Sequence, residues 1–251
     1  MPPATLPSES GPVAKPDRAD TAVRSGMHQT DTLPSMNALR EELAAMAARL
    51  IVEDGLDYAT AKRKATHQIL GPGAHPEVQP DNTDVLTQVR LYLALFHGDE
   101  HPSLLWNLRR AALGLMEEFA EFRPHLAGAV WNGTATAHSA LHVLLFADDT
   151  KAVEIHCINR NLAYRASEAP HYAGRAPVER LEFEWPMPSG ATTRHPTVIA
   201  SLSLYPLKDE RGVLLRAPRS SGKPAERGNM QAVRALVEAG PAASPPIGAS
   251  L

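Results

Sequence analysis

From Leu39 the apolar residues fall at Leu39, Leu43, Met46 and Leu50, steps of four, three and four that lie on one face of a helix. Ser35 or Asn37 is a candidate N-cap, and Asp54-Gly55 a stop. A second helix is predicted over 58–70, capped by Asp57, closed by Gly71-Pro72 and carrying the basic triplet Lys62, Arg63, Lys64 on a solvated surface. A third runs over 81–97 with Val85, Val89, Tyr92, Leu93 and Phe96 on one side. A fourth opens at His101-Pro102 and repeats Leu105, Leu108, Ala112, Leu115 and Phe119 until Pro124. Residues 36–122 therefore read as a helical region.

The period then changes. Ala127 to Trp131 and Leu141 to Phe146 are short apolar runs bounded by turn residues, as buried strands are. Asp148 to Asn161 has helical spacing at Val153, His156, Cys157 and Arg160. The stretches 181–185, 197–205 and 213–215 read as strands, and 229–238 as a last helix through Met230, Val233 and Val237. The predicted fold class is α+β: a helical N-terminal region followed by a mixed α/β domain over 123–239.

Composition adjusts the ends of this picture. The chain has 251 residues, 43% of them apolar, with 16 glycines and 22 prolines. Six prolines crowd residues 1–35 among few large apolar side chains, which predicts a disordered leader and makes Met36 a candidate natural start. Residues 240–251 read as a second disordered tail. A net charge of −3 gives no global pull toward nucleic acid or an anionic membrane, so any basic site, for RNA or for DNA, must be a patch. No apolar run is long enough for a transmembrane helix, and neither a signal nor a transit sequence is legible in the first 35 residues. The single cysteine, Cys157, excludes an intramolecular disulfide and fits a reducing compartment, so a cytoplasmic location is expected.

The chemistry-bearing stretch is 129–149, AVWNGTATAHSALHVLLFADD. Its Gly133-Thr134 turn, its Ser139 and the strand that follows resemble the core of the polymerase-β-like nucleotidyltransferases. In that family a Gly-Ser or Gly-Thr turn precedes a strand opening with Ser-Asp-x-Asp or Ser-Asp-x-Glu. The resemblance implies a nucleotidyltransferase-like domain, but both acid positions differ: they hold Ala140 and His142. Residues i and i+2 of a strand share a face, which is how two carboxylates hold the hard cations of nucleotidyl transfer. Alanine supplies no ligand, and Mg²⁺ prefers oxygen to a neutral imidazole. Asp148 lies six strand residues beyond His142, about 20 Å along the chain, whereas Glu182 and Glu184 have i, i+2 spacing and are candidate substitutes.

The candidate nucleotide-binding residues are accordingly Gly133, Thr134, Ser139 and His142, together with Arg216, Arg219 and Lys223 of the basic loop over 216–227. Tight glycine turns and basic loops meet phosphate oxygens, yet an ordinary strand-end turn and a solvated loop have the same residues. His138 and His142 are four apart in a turn and strand, where that spacing does not converge on a metal. Cys157 beside His156 reads as a buried structural thiol, because helix neighbours point about 100° apart.

Three functions remain open. The first is a nucleotidyltransferase-like protein with weak or no catalysis that binds a nucleotide, RNA or a protein. The second is an active enzyme taking Mg²⁺ and a nucleoside triphosphate through Asp148, Glu182 or Glu184. The third is a protein-interaction module acting through the helical region.

Overall fold

The computed structural model describes residues 36–73, 79–171, 174–191, 195–211 and 227–243. Among them the chain is α+β, with helices first and a mixed six-stranded sheet after. Helix α1 (Met36–Asp54) takes Asn37 into its first turn and stops at Gly55, whose φ of +68° glycine adopts without strain. Helix α2 (Tyr58–Leu70) is capped by Asp57, whose carboxylate accepts from the N–H groups of Ala59 and Thr60 at 3.0 Å. Helix α3 (Asn82–Phe96) starts with a reciprocal capping box between Asp81 and Asp84. These helices bury Ala44, Ala47, Ala48, Ala61, Val85 and Val89 in a core of their own. Phe96, expected inside, is 67% exposed and leans on Tyr92, with ring centroids 4.6 Å apart.

Helix α4 (His101–Glu118) changes the expected grouping. Its apolar stripe, Leu105, Leu108, Ala112 and Leu115, joins the core of the sheet and not that of α1–α3. The helix gives way to a 3₁₀ turn over Ala120–Phe122, and Arg123, at a φ of +47°, redirects the chain into Pro124.

The run from Ala127 to Trp131 is not a strand. Strand β1 (His125–Ala127) ends where Gly128, at a φ of +69°, turns the chain into the short helix α5 (Gly128–Asn132). That turn buries Trp131 against Gly228. Strand β2 (Leu141–Ala147) and helix α6 (Lys151–Asn159) follow as the pattern predicts, with Asp149 accepting from the Lys151 N–H at the start of α6. After β3 (Arg165–Ala169), strands β4 (Val178–Pro186) and β5 (Thr197–Pro206) extend the predicted runs. Two edge strands, β3 and β6 (Arg227–Asn229), have no counterpart in the sequence reading, and β6 takes Arg227 out of the expected loop. Helix α7 (Met230–Glu238) closes the fold and buries Val233 and Leu236. The first residues of the expected tail are docked, with Ala243 against the main core. The predicted leader, the 213–215 strand and residues 244–251 lie outside the described residues.

The strand order is β3-β4-β5-β2-β1-β6, antiparallel throughout except for the central parallel pair β2 and β5. Pairing and alternation sort the side chains into two faces. One face, with Leu141, Val143, Leu145, Leu181, Phe183 and Leu202, shares the main core with residues of α4, α6 and α7. The other carries a small apolar cluster that contains no α-helical residue, built on Leu144, Phe146, Val178 and Tyr205, and a polar field beside it. No helix among the described residues is long and apolar enough to cross a membrane.

Candidate functional site

The polar field is organised as rows that cross the strands. One row runs Arg165, Glu182, Ser201, His142, Ala127, Arg227, each paired directly with the next. The adjacent row places Arg180 opposite Ser203 and Ser203 opposite Leu144. Directly paired residues project to the same side of a sheet. His142, Ser201, Glu182 and Arg180 therefore share one face, at the junction of the parallel pair with β4. Position 140 lies just ahead of β2, outside its paired residues.

The imidazole of His142 is solvent-exposed but lies against the backbone of Gly128, where a Cβ added to the glycine would come within 3.1 Å of the ring. Desolvation by the surrounding protein pushes its pKa below the usual histidine value, the Arg180 charge adds to that, and Glu182 opposes it. Ser201 is 1% exposed, and its hydroxyl has no hydrogen-bond partner among the described residues. Arg180 stands 3.9 Å from Glu182 through Nη1, while its buried Nε is unpartnered.

The turn that feeds β2 is built differently from a phosphate-binding loop. Gly133, at a φ of +85°, caps α5. Its N–H donates to the Ala129 carbonyl at 3.0 Å, and the Thr134 N–H donates to the same carbonyl at 2.9 Å. The Thr134 hydroxyl donates to Asn132 Oδ1 at 2.6 Å. Thr134 is 3% exposed. Ser139 Oγ accepts from the Thr136 N–H at 2.9 Å. In this conformation the donors expected to meet phosphate at Gly133 and Thr134 are engaged inside the protein. The turn is a joint: Arg90 of α3 donates to the Asn132 carbonyl, His101 of α4 bonds the Ala135 carbonyl, and His138 packs over Gly55.

Beneath the joint lies Arg109, 1% exposed. It donates to the carbonyls of Val130 at 3.2 Å, Trp131 at 3.4 Å and Ala243 at 2.6 Å. Desolvation pulls its pKa down to about 10, which leaves it charged at neutral pH. Its cation sits at the C-terminal end of α5, where helix carbonyls lack intrahelical donors.

The structure thus brings His142 onto the sheet face and holds Gly133, Thr134 and Ser139 in the adjoining joint. Arg216, Arg219 and Lys223 lie outside the described residues. Glu182 shares the row of His142, two strands away, while Glu184 pairs with Ile199 one step further along and accepts from the Thr197 hydroxyl. Asp148 follows the far end of β2. Ala140, His142 and Ser201 provide no anionic oxygen, so the start of β2 and its parallel neighbour do not themselves supply the paired carboxylates of nucleotidyl transfer; the carboxylates of this face are Glu182 and Glu184 on β4. Among the described residues no group of three or more His, Cys, Asp or Glu is placed to hold a metal ion. Cys157 is fully buried, its thiol pushed up to about 11 by desolvation, and the neighbouring His156 is engaged by Glu118 and Glu121.

Sequence reasoning does not single out Arg180 and Ser201. Their only signal is the polar alternation Arg180, Glu182, Glu184 against Thr197, Ser201, Ser203, which a solvated strand face also produces.

A second histidine of this face gives a pH prediction. His125 is 4% exposed and donates from Nδ1 to the Arg123 carbonyl at 3.0 Å. Burial holds its pKa below the usual value. The unfolded chain then takes up the proton first on acidification, so stability falls as the pH drops below about 6.5 and through the lowered folded value. The urea midpoint is expected to fall between about pH 7 and about pH 5, and to fall less in His125→Gln. An equal fall in both proteins contradicts the assignment.

No protein-family model, curated protein or solved structure matches the chain.

Proposed function

We propose that this chain is a nucleotidyltransferase-like binding protein of the cytoplasm that takes a phosphate-bearing ligand, a nucleotide or RNA, on the second face of its sheet without transferring it. One observation carries the reading. A Gly-Thr turn leads into the strand at the centre of a mixed sheet, and the positions where that strand would present two acids hold Ala140 and His142. The parallel neighbour adds Ser201 and no acid. The field retains cationic and hydrogen-bonding groups suited to phosphate, and β2 and β5 bring it no carboxylate to grip magnesium.

The position of Glu182 in the row of His142 favours a second reading, an active enzyme that takes Mg²⁺ and a nucleoside triphosphate. Incubation with labelled nucleoside triphosphates and Mg²⁺ separates the two. The binding reading expects no transferred label from the wild type. Label transfer that Glu182→Ala abolishes establishes the enzyme instead.

A protein partner for the helices is a third reading, favoured by Leu91 and Leu95 of α3, which are 51% and 67% exposed. Its test uses the whole chain, because a fragment of residues 36–122 strips α4 from the core it shares with the sheet.

A further inference from the structure

Among the described residues, two buried donors on neighbouring strands have no partner: the Ser201 hydroxyl on β5 and Arg180 Nε on β4. Unsatisfied buried donors are rare in folded proteins and commonly mark an ion or water site. These two belong to one cluster. Ser201 pairs with His142 on one side and with Glu182 on the other, and Arg180 occupies the same face two residues before Glu182. Arg180 pairs with Ser203, two residues along β5 from Ser201 on the same face, and its guanidinium stands 3.9 Å from Glu182, the residue paired with Ser201.

We propose that Arg180 Nε, Ser201 Oγ and the His142 imidazole form a metal-free site for a phosphate monoester, with Arg180 as its cation. This deepens the binding reading above and rests on it. Phosphate oxygens accept from guanidinium, hydroxyl and imidazole donors alike, and a charged acceptor forms the stronger hydrogen bonds. Entry lies beside the exposed His142 ring, and the long Arg180 side chain swings to uncover its Nε. Glu182 is the opposing element. Its carboxylate balances Arg180 when no ligand is bound and repels an arriving dianion. The same residue therefore has opposite consequences for two ligands: it weakens an oxyanion and would be required by a divalent cation.

The test is calorimetric titration of the full chain with inorganic phosphate and with adenosine monophosphate in EDTA, with adenosine as the unphosphorylated control. Phosphate and the monophosphate are expected to bind competitively at one site, and adenosine is not expected to displace phosphate. Arg180→Lys, which retains charge but removes Nε–H, and Ser201→Ala are each expected to weaken phosphate binding about tenfold. Glu182→Gln is expected to tighten it several-fold. In phosphate-free buffer Ser201→Ala should melt at or above the wild-type temperature, since it removes a donor that has no partner.

The inference is overturned if phosphate does not bind, if Ser201→Ala binds it as tightly as wild type, or if Glu182→Gln weakens it. It is also overturned if Ser201→Ala melts lower without ligand, because the hydroxyl then has a partner in the free protein. Nucleotide binding that persists without these effects leaves the binding reading standing and removes only this site. Magnesium-dependent transfer removes the binding reading itself.

Discussion

Gly228→Ala is expected to destabilise the fold by about 3 kcal/mol or more, at the upper end for overpacking a close-packed core. A Cβ at position 228 would lie 2.1, 2.3 and 2.7 Å from three ring carbons of Trp131. Trp131 is 1% exposed, so its indole has no solvent-filled space into which to retreat. Strand β6 must then move away from β1, and it carries α7 with it, whose Val233 and Leu236 belong to the main core. For a domain of this size the loss corresponds to a fall in melting temperature on the order of 6–12 °C. Thermal and urea denaturation check it. Trp131→Leu alone opens a cavity, but combined with Gly228→Ala it should cost less than the two changes added. Strict additivity would show that the contact does not govern the effect.

Arg109→Met is expected to cost about 3–4 kcal/mol. The substitution approximates the length of the side chain while deleting every donor, which strands the carbonyls of Val130, Trp131 and Ala243. Arg109→Lys should recover little, because a single ammonium cannot reproduce the planar fork that reaches three carbonyls. The urea midpoint measures both variants. A wild-type midpoint in Arg109→Met would show that water satisfies those carbonyls. The arginine joins α4 to the end of α5, and so to the turn that leads into β2. Its loss should loosen the site as well as the core.

The helices are legible in the sequence because their signals are local. Asp57 and Asp81 bond the N–H groups of the next few residues, and the stripe of α4 repeats along the whole helix. Sequence spacing does not reveal which core that stripe joins. Phe96 continues the apolar side of α3 but is its last residue, where the ring meets Tyr92 and solvent. The edge strands are hidden for other reasons. RASEA in β3 is mostly exposed and shows no apolar alternation, and RGN in β6 holds its place through a glycine that makes room for Trp131.

The site divides in the same way. The change from a helical period to a short apolar strand marks β2, and its even positions place His142 with Leu144 and Phe146. The donors of the Gly133-Thr134 turn are engaged locally, by Asn132 and the Ala129 carbonyl, while the contacts that tie the turn to the helices come from Arg90 and His101, distant in sequence. Arg180 and Ser201 become a cluster only when β4 and β5 are set in register.

Titration of a fluorescent nucleoside triphosphate, once in EDTA and once in excess Mg²⁺, tests the central claim most directly. A face that binds phosphate through its own cation, with no carboxylate on β2 to hold magnesium, predicts binding in EDTA at least as tight as in Mg²⁺, because Mg²⁺ cancels part of the triphosphate's charge. Affinity that appears only with Mg²⁺ and disappears in Glu182→Gln would contradict it.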